Sequence, residues 1–356
     1  MQGSPLTDLA LPEFRARGPW WGPDLQTLRN ALVGDRFDRS DLARHPEKHL
    51  TLPLADGSGD VLVGSLQTPV RTSEDPERPL AVLVHGLSGS ADSSYMIATA
   101  RVLLEAGYPV LRLNLRGAGP SRPLCRLQYH AGRSEDLRDA LESDPFPDTA
   151  KGLVLVGYSL GANMLLKFLA EFGGRFPIRG ACAISAPIDL EAASYRFLDP
   201  RNRGYHWHLL RNMKREALAA DGAMSASERE AVLAAKSILE FDDRFVAPRN
   251  GYADAAAYYA DNMARRFLAE IAIPTLVIHA RNDPWIPSEV YTSYPWSENP
   301  KLRPLLAKGG GHVGFHGRGS AIPWYDRCLL PFFEALCAPP AASGSPHSAS
   351  ISEAGA

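Results

Sequence analysis

The sequence predicts an α/β fold: a mostly parallel central sheet, helices on both faces and a helical cap insertion at one edge. Three observations carry that expectation. Short apolar runs alternate with helical patterns from residue 80 to residue 186. The rhythm breaks at Pro187 and resumes near Ile273. The gap is filled by stretches rich in Ala, Glu, Lys and Arg, with helical character. Near-continuous apolar strands belong to parallel sheets whose two faces are both covered by crossover helices.

In chain order, residues 1–30 read as a Pro- and Trp-rich arm without a clear element, with Trp20 and Trp21 packing on the domain surface. The domain itself is expected over 31–337. Strands at 48–54 and 60–68 flank Ala55-Asp56-Gly57-Ser58-Gly59, a hairpin signal. A polar loop at 71–78 follows. Strand 80–87, helix 93–106, strand 109–115, helix 134–141, strand 152–158, helix 160–172 and strand 180–186 then alternate. Residues 188–270 are expected to form the cap insertion, with helical stretches at 213–220, 227–239 and 254–268; long crossover helices are the alternative. Strands at 274–280 and 302–307 and a helix at 329–336 complete the domain. The low-complexity tail, 338–356, is expected to be disordered.

Composition excludes several classes. Of 356 residues, 45% are hydrophobic and 22% charged, enough for a sizeable core. A formal net charge of −2, with no basic run, gives no electrostatic reason to expect nucleic acid or an anionic membrane as partner. Cys125, Cys182, Cys328 and Cys337 show no C-x-x-C spacing, which fits a reducing compartment better than a disulfide framework. The N-terminal residues lack the apolar core of a signal peptide, and no window approaches a membrane span, so a cytoplasmic location without stable membrane insertion is expected.

The chemistry concentrates at Leu153-Val154-Leu155-Val156-Gly157-Tyr158-Ser159-Leu160-Gly161. A strand, a G-x-S-x-G turn and an apolar helix in that order make a nucleophile elbow. Gly157 and Gly161 let strand and helix approach closely while Ser159 is held in the turn. A neutral serine hydroxyl is a poor nucleophile, so a base and an orienting acid are needed. Asp283 stands just past the strand ending in His279-Ala280, and His312 lies in the loop Gly309-Gly310-Gly311-His312-Val313-Gly314 after the next strand. The order Ser159, Asp283, His312 is the order of an α/β-hydrolase triad. Oxyanion donors are expected from the backbone N–H groups of Leu160 and of Leu87 in His85-Gly86-Leu87-Ser88-Gly89.

Rival readings are weaker. His316 is a rival base; Asp242, Asp243 and Asp254 are rival acids inside the expected insertion. His85 is expected to shape its loop rather than transfer protons. His206-x-His208 has the look of a metal pair, but i, i+2 residues on a helix face apart. No H-E-x-x-H or Cys/His cluster is present, so neither metal nor cofactor is expected. Arg116-Gly117-Ala118-Gly119 lacks a full phosphate-loop pattern and reads as a loop at the site edge. Tyr195, Phe197, Tyr205 and Trp207 suit an acyl pocket and an insertion core equally.

The segments HGLSGSADSSYM, LRLNLRGAGPS, VGYSLGANMLLKFLAE, FDDRFVAPRNGYADAAAYY, IPTLVIHARNDPWIP and GGGHVGF, with an early DLQTL, resemble the YheT/EMB8-type α/β-hydrolases. That group (the AB hydrolase 4 family) includes ABHD1/ABHD3-type lipid hydrolases. The resemblance spans about residues 20–336, and the FDDRF…GY…YY stretch is not generic to the fold. It implies a triad of Ser159, Asp283 and His312 and hydrolysis of carboxylic esters, lipid esters among them. The expected partner is a small-molecule or lipid ester, and the expected substrates are short- to medium-chain acyl esters or lipid esters. Phospholipid cleavage or acyl transfer through the same acyl-enzyme is the nearest alternative. A non-catalytic binding protein on the same scaffold is a more distant one.

Overall fold

The computed structural model describes residues 9–34, 37–70, 77–219 and 224–337. The expected loop at 71–78 falls mostly outside them, and the expected disordered tail, 338–356, wholly so.

Eight strands form one sheet: β1 (Glu47–Pro53), β2 (Val61–Gln67), β3 (Leu80–Val84), β4 (Val110–Asn114), β5 (Leu153–Tyr158), β6 (Ile178–Ile184), β7 (Thr275–Ala280) and β8 (Leu302–Ala307). The spatial order is β1-β2-β4-β3-β5-β6-β7-β8. The hairpin β1–β2 and the β2–β4 pairing are antiparallel; every other neighbour is parallel. Each of these strands matches one expected from the sequence, with edges within a few residues.

The twelve α-helices, among the described residues, are α1 (Pro23–Val33), α2 (Ser94–Glu105), α3 (Ser134–Glu142), α4 (Leu160–Glu171), α5 (Leu190–Phe197), α6 (Arg203–Leu218), α7 (Ala226–Ala234), α8 (Ile238–Phe241), α9 (Ala247–Arg249), α10 (Ala255–Asn262), α11 (Glu289–Thr292) and α12 (Trp324–Cys337). Every residue of β3 and β5 is buried. Their side chains alternate between two cores: Val82, Leu153 and Leu155 join α3 and α4 on one face, while Leu83, Val154 and Val156 join α2 and α12 on the other. Period-two alternation with both sides covered is why these strands read as continuous apolar runs.

Three local expectations are corrected. The arm at 1–30 is not without an element, because α1 begins inside it. Pro23 at the helix start and Asp24 in the first turn are start signals, but the helix buries only Gln26, so no apolar stripe announces it. The C-terminal helix starts at Trp324, after Pro323, rather than at 329. Between β6 and β7 the helical stretches are shorter and more numerous than expected, and α5 and the first half of α6 fall outside them. Here Ser and Asp caps cut the chain into pieces: Asp189, Ser225, Ser237 and Asp254 each accept a backbone N–H at a helix start.

Those pieces carry apolar clusters of their own. One joins Leu209, Leu210, Met213, Val232, Ile238 and Phe241; a smaller one joins Leu190, Ala247, Ala255, Tyr258 and Tyr259. Leu87 packs on the first and Leu160 on the second. Between α8 and α9 the chain makes a π-helical turn, Asp242–Val246, inside the FDDRF stretch.

Candidate active site

Ser159 stands between β5 and α4 with φ +50° and ψ −122°. A serine in that sparsely populated region costs about 1–3 kcal/mol, which the surrounding strand and helix must offset. Gly161 shows why the elbow needs glycine: a β-carbon there would lie 2.2 Å from the His85 carbonyl oxygen. The turn therefore lets α4 press its first residues against the loop after β3.

Three side chains from three loops meet at this point. His312 Nε2 lies 2.8 Å from Ser159 Oγ, and His312 Nδ1 lies 2.8 Å from Asp283 Oδ2. An ionised carboxylate only accepts, so Nδ1 carries the proton and Nε2 is left to accept from the serine hydroxyl. The other Asp283 oxygen accepts the N–H groups of Trp285 (2.8 Å) and Ile286 (3.2 Å). Burial works against the Asp283 charge. Attraction and hydrogen bonding to His312, helped by the Trp285 N–H, outweigh it and hold the carboxyl below its ordinary value. Trp285 covers the imidazole, ring centroids 4.1 Å apart. Nearby His279 is buried against Tyr291 and pushed down to about 4 by that burial, so it stays neutral.

The histidine loop is braced from outside the sheet. His312 N–H donates to Thr27 Oγ1 (2.9 Å), and Gln26 bonds both the N–H and the carbonyl of His316. A β-carbon at Gly314 would come 2.3 Å from the Gln26 carbonyl oxygen, so α1 lies directly on the glycine-rich loop. Asn282 Oδ1 accepts the Gly311 N–H. Sequence reasoning misses Gln26, Thr27, Asn282 and Trp285 as site residues. For the first two, the DLQTL match is the one signal in the sequence that points to them.

The residues expected to supply the oxyanion donors, Leu87 and Leu160, line the same pocket as Ser159 and His312. Leu160 is the first residue of α4, and its N–H is one of the unpaired donors of a helix start. Among the described residues, no acceptor lies on the N–H of Leu160 or Leu87. The Leu87 loop lies against Ser159, since a β-carbon at Gly86 would come 3.0 Å from Ser159 Cβ. His85 Nε2 accepts the Leu115 N–H, leaving its Nδ1–H to donate to the Gly86 carbonyl. Burial lowers His85 to about 4, so it is a neutral strut in the loop.

Two chambers open from Ser159, sharing His312, Leu87 and Trp285 in their walls. The first runs under the segment between β6 and β7 past Phe197, Met213, Ile238 and Phe241. The second runs past Phe37, Tyr95, Val313 and Tyr325. Two carboxyl groups, Glu216 and Asp242, face the first chamber, and burial pushes both up, Asp242 to about 7. Tyr259 donates its hydroxyl to Asp242 (2.7 Å).

The rival residues have other duties. Asp243 accepts the Ala255 N–H and Asp254 caps α10. His316 lines the second chamber. His206 Nε2 accepts the Ile238 N–H while His208 bonds Asn212, so the two rings do not converge. Arg116 is buried in ion pairs with Asp56, Asp60 and Asp136, and Gly117 reaches the first chamber. The four aromatics divide: Phe197 lines the first chamber, Tyr205 meets Trp285 edge to face and bonds Asp24, and Tyr195 and Trp207 are exposed.

This fold, with a serine at its elbow, defines an α/β-hydrolase. A family model described as the alpha/beta hydrolase fold matches residues 79–318. YheT of Escherichia coli (strain K12), named as a candidate esterase, is 36% identical over 256 residues, covering 69% of this chain and 74% of its own length. The chain belongs to the YheT/EMB8-type α/β-hydrolases. The phospholipase ABHD3 of Mus musculus is 28% identical over 67% of this chain and 58% of its own length, so the present chain spans under two thirds of that relative. Among solved structures, the Pyrococcus furiosus esterase Pf2001 superposes with a TM-score of 0.55 at 17% identity, over 92% of this chain and 97% of that one. No described helix is long and apolar enough to cross a membrane.

Proposed function

We propose that the chain is a serine hydrolase that cleaves carboxylic esters, lipid esters among them, through an acyl-enzyme. The carrying observation is the hydrogen-bonded row Ser159–His312–Asp283, at an elbow where the N–H groups of Leu87 and Leu160 have no acceptor among the described residues. Ser159 Oγ attacks the ester carbonyl carbon as His312 Nε2 takes its proton. The N–H groups of Leu87 and Leu160 hold the oxyanion, and Asp283 stabilises the imidazolium. Collapse breaks the bond to the alcohol oxygen, which leaves with the proton from His312. Water, deprotonated by the same nitrogen, then releases the acid and regenerates Ser159. The apolar first chamber suits the acyl chain and the second the alcohol.

Names among the relatives favour esters as the substrate class: esterase, phospholipase, and monoacylglycerol lipase in Saccharomyces cerevisiae at 25% identity. A yeast relative named medium-chain fatty acid ethyl ester synthase/esterase, 25% identical over 88% of this chain, favours acyl transfer to alcohols as a second reading. The test is labelling by a fluorophosphonate together with hydrolysis of p-nitrophenyl esters. Wild type is expected to do both and Ser159→Ala neither. Turnover retained in Ser159→Ala removes the assignment. Adding ethanol as competing acceptor separates hydrolysis from transfer.

A further inference from the structure

The loop that offers Leu87 N–H is held at the residues on either side of it. Gly86 N–H donates to Tyr95 Oη (3.0 Å), and Ser88 N–H donates to Tyr129 Oη (2.7 Å). Tyr95 lies on α2; Tyr129 lies in the loop before α3. Gly89 N–H closes a turn onto the Gly86 carbonyl (3.1 Å), and Ser88 takes φ +54°, outside the range its side chain prefers. With both neighbours tied, Leu87 N–H is the one amide of Gly86-Leu87-Ser88-Gly89 left without an acceptor among the described residues. A loop of this kind can swing a peptide by rotating two backbone angles, so fixing the flanking amides is what fixes the free one.

The Tyr129 hydroxyl has a second partner. Its proton goes to Glu216 Oε2 (3.3 Å), which leaves an oxygen lone pair for Ser88 N–H. Glu216 sits on α6, in the segment between β6 and β7, and burial pushes its carboxyl up while the Ser88 side chain, ahead of Tyr129, pulls it back. The same segment grips the donor residues by their side chains: Leu87 packs on the cluster that holds Met213 and Phe241, and Leu160 on the one that holds Tyr258 and Tyr259.

We infer that the Glu216–Tyr129 pair is a positioning device for the oxyanion hole, through which the docked α6 sets the Leu87 peptide. Neither residue touches the reacting atoms; both act through Ser88. This rests on the serine-hydrolase reading above. It extends that reading by giving the helical segment a part in transition-state stabilisation as well as in enclosing substrate.

Binding of an ester is spread over two chambers, whereas the oxyanion forms only in the transition state, so loosening the peptide lowers kcat and spares KM. Tyr129→Phe is expected to lower kcat about 10- to 100-fold with KM within about threefold, short of the loss for deleting a donor. Glu216→Leu is expected to follow it in kcat. Glu216→Gln, whose amide oxygen still accepts the tyrosine proton, is expected to recover most of what Leu loses. The double variant Tyr129→Phe/Glu216→Leu is expected to be no worse than the poorer single, as for groups acting as one unit. Fluorophosphonate labelling of wild type and Ser159→Ala runs alongside. Absence of labelling in wild type removes the nucleophile assignment itself. Normal labelling with unchanged kcat in Tyr129→Phe, or a change confined to KM, overturns the positioning role and leaves the nucleophile standing. If Tyr129→Phe fails to fold, the comparison of Glu216→Leu with Glu216→Gln decides, and equal kcat values overturn it.

Discussion

Asp283 does two jobs with two oxygens, and an amide can keep only one of them. In Asp283→Asn the side-chain oxygen can still accept from Trp285 and Ile286, but the NH₂ group then faces His312 Nδ1. The imidazole must turn its lone pair to that side and its proton to Ser159, the wrong tautomer for a base. We expect kcat to fall about 10³–10⁴-fold, with thermal stability nearly unchanged; a loss under tenfold in p-nitrophenyl ester hydrolysis contradicts the role. Asp242 gives a second prediction at this scale. Its carboxyl is raised from 3.8 to about 7 in the folded chain, so the fold favours the protonated form. That contribution to stability is complete below about pH 4 and is lost as pH rises through about 7. Asp242→Asn keeps an acceptor for Tyr259 without a charge to bury. Between pH 5 and pH 8 its melting temperature is expected to fall less than that of wild type; parallel curves sink the assignment. Ser159, Asp283 and His312 are legible in sequence because each follows an apolar strand in fold order. Asp242 is visible there only as a rival acid, since its meaning depends on Tyr259, seventeen residues away and a helix later.

Helix α1 illustrates what a pattern of apolar residues cannot convey. It holds the His312 loop by polar groups: Thr27 Oγ1 accepts the His312 N–H and donates to the Pro23 carbonyl, and Gln26 spans Trp20 and His316. A helix that buries a glutamine leaves no hydrophobic period, so residues 1–30 read as an arm. The sheet is legible by contrast, because strands buried on both faces announce themselves as unbroken Val, Leu and Ile. The segment between β6 and β7 lies between these cases: its helical character is plain, but Ser and Asp caps rather than apolar spacing set its boundaries. Thr27→Val tests the brace. The swap preserves shape but orphans the His312 N–H, at about 1–3 kcal/mol of stability. With the loop loosened, kcat is expected to fall about tenfold, while Thr27→Ser, which keeps the hydroxyl, stays within about threefold of wild type. Equal kinetics in the two variants contradict the brace.

At the scale of the whole molecule, the sheet supplies the elbow and the helical segment supplies most of the first chamber's apolar wall. Phe197, Met213, Ile238 and Phe241 from that segment line the chamber that opens at Ser159. An acyl chain entering it leaves water one methylene at a time. Full burial contributes about 0.8 kcal/mol per CH₂, which sets a ceiling of about fourfold in kcat/KM for each added carbon. Part of that gain is expected across p-nitrophenyl acetate, butyrate, hexanoate and octanoate, until the chamber is filled and the rise stops. The position of the break belongs to the chamber wall, so it must move when the wall moves. Met213→Trp, which fills space beside Phe241, is expected to shift the break to shorter chains while leaving acetate hydrolysis within about twofold. A flat profile across the series assigns the acyl chain to the second chamber or to solvent. A break that Met213→Trp does not move places the limit elsewhere in the site.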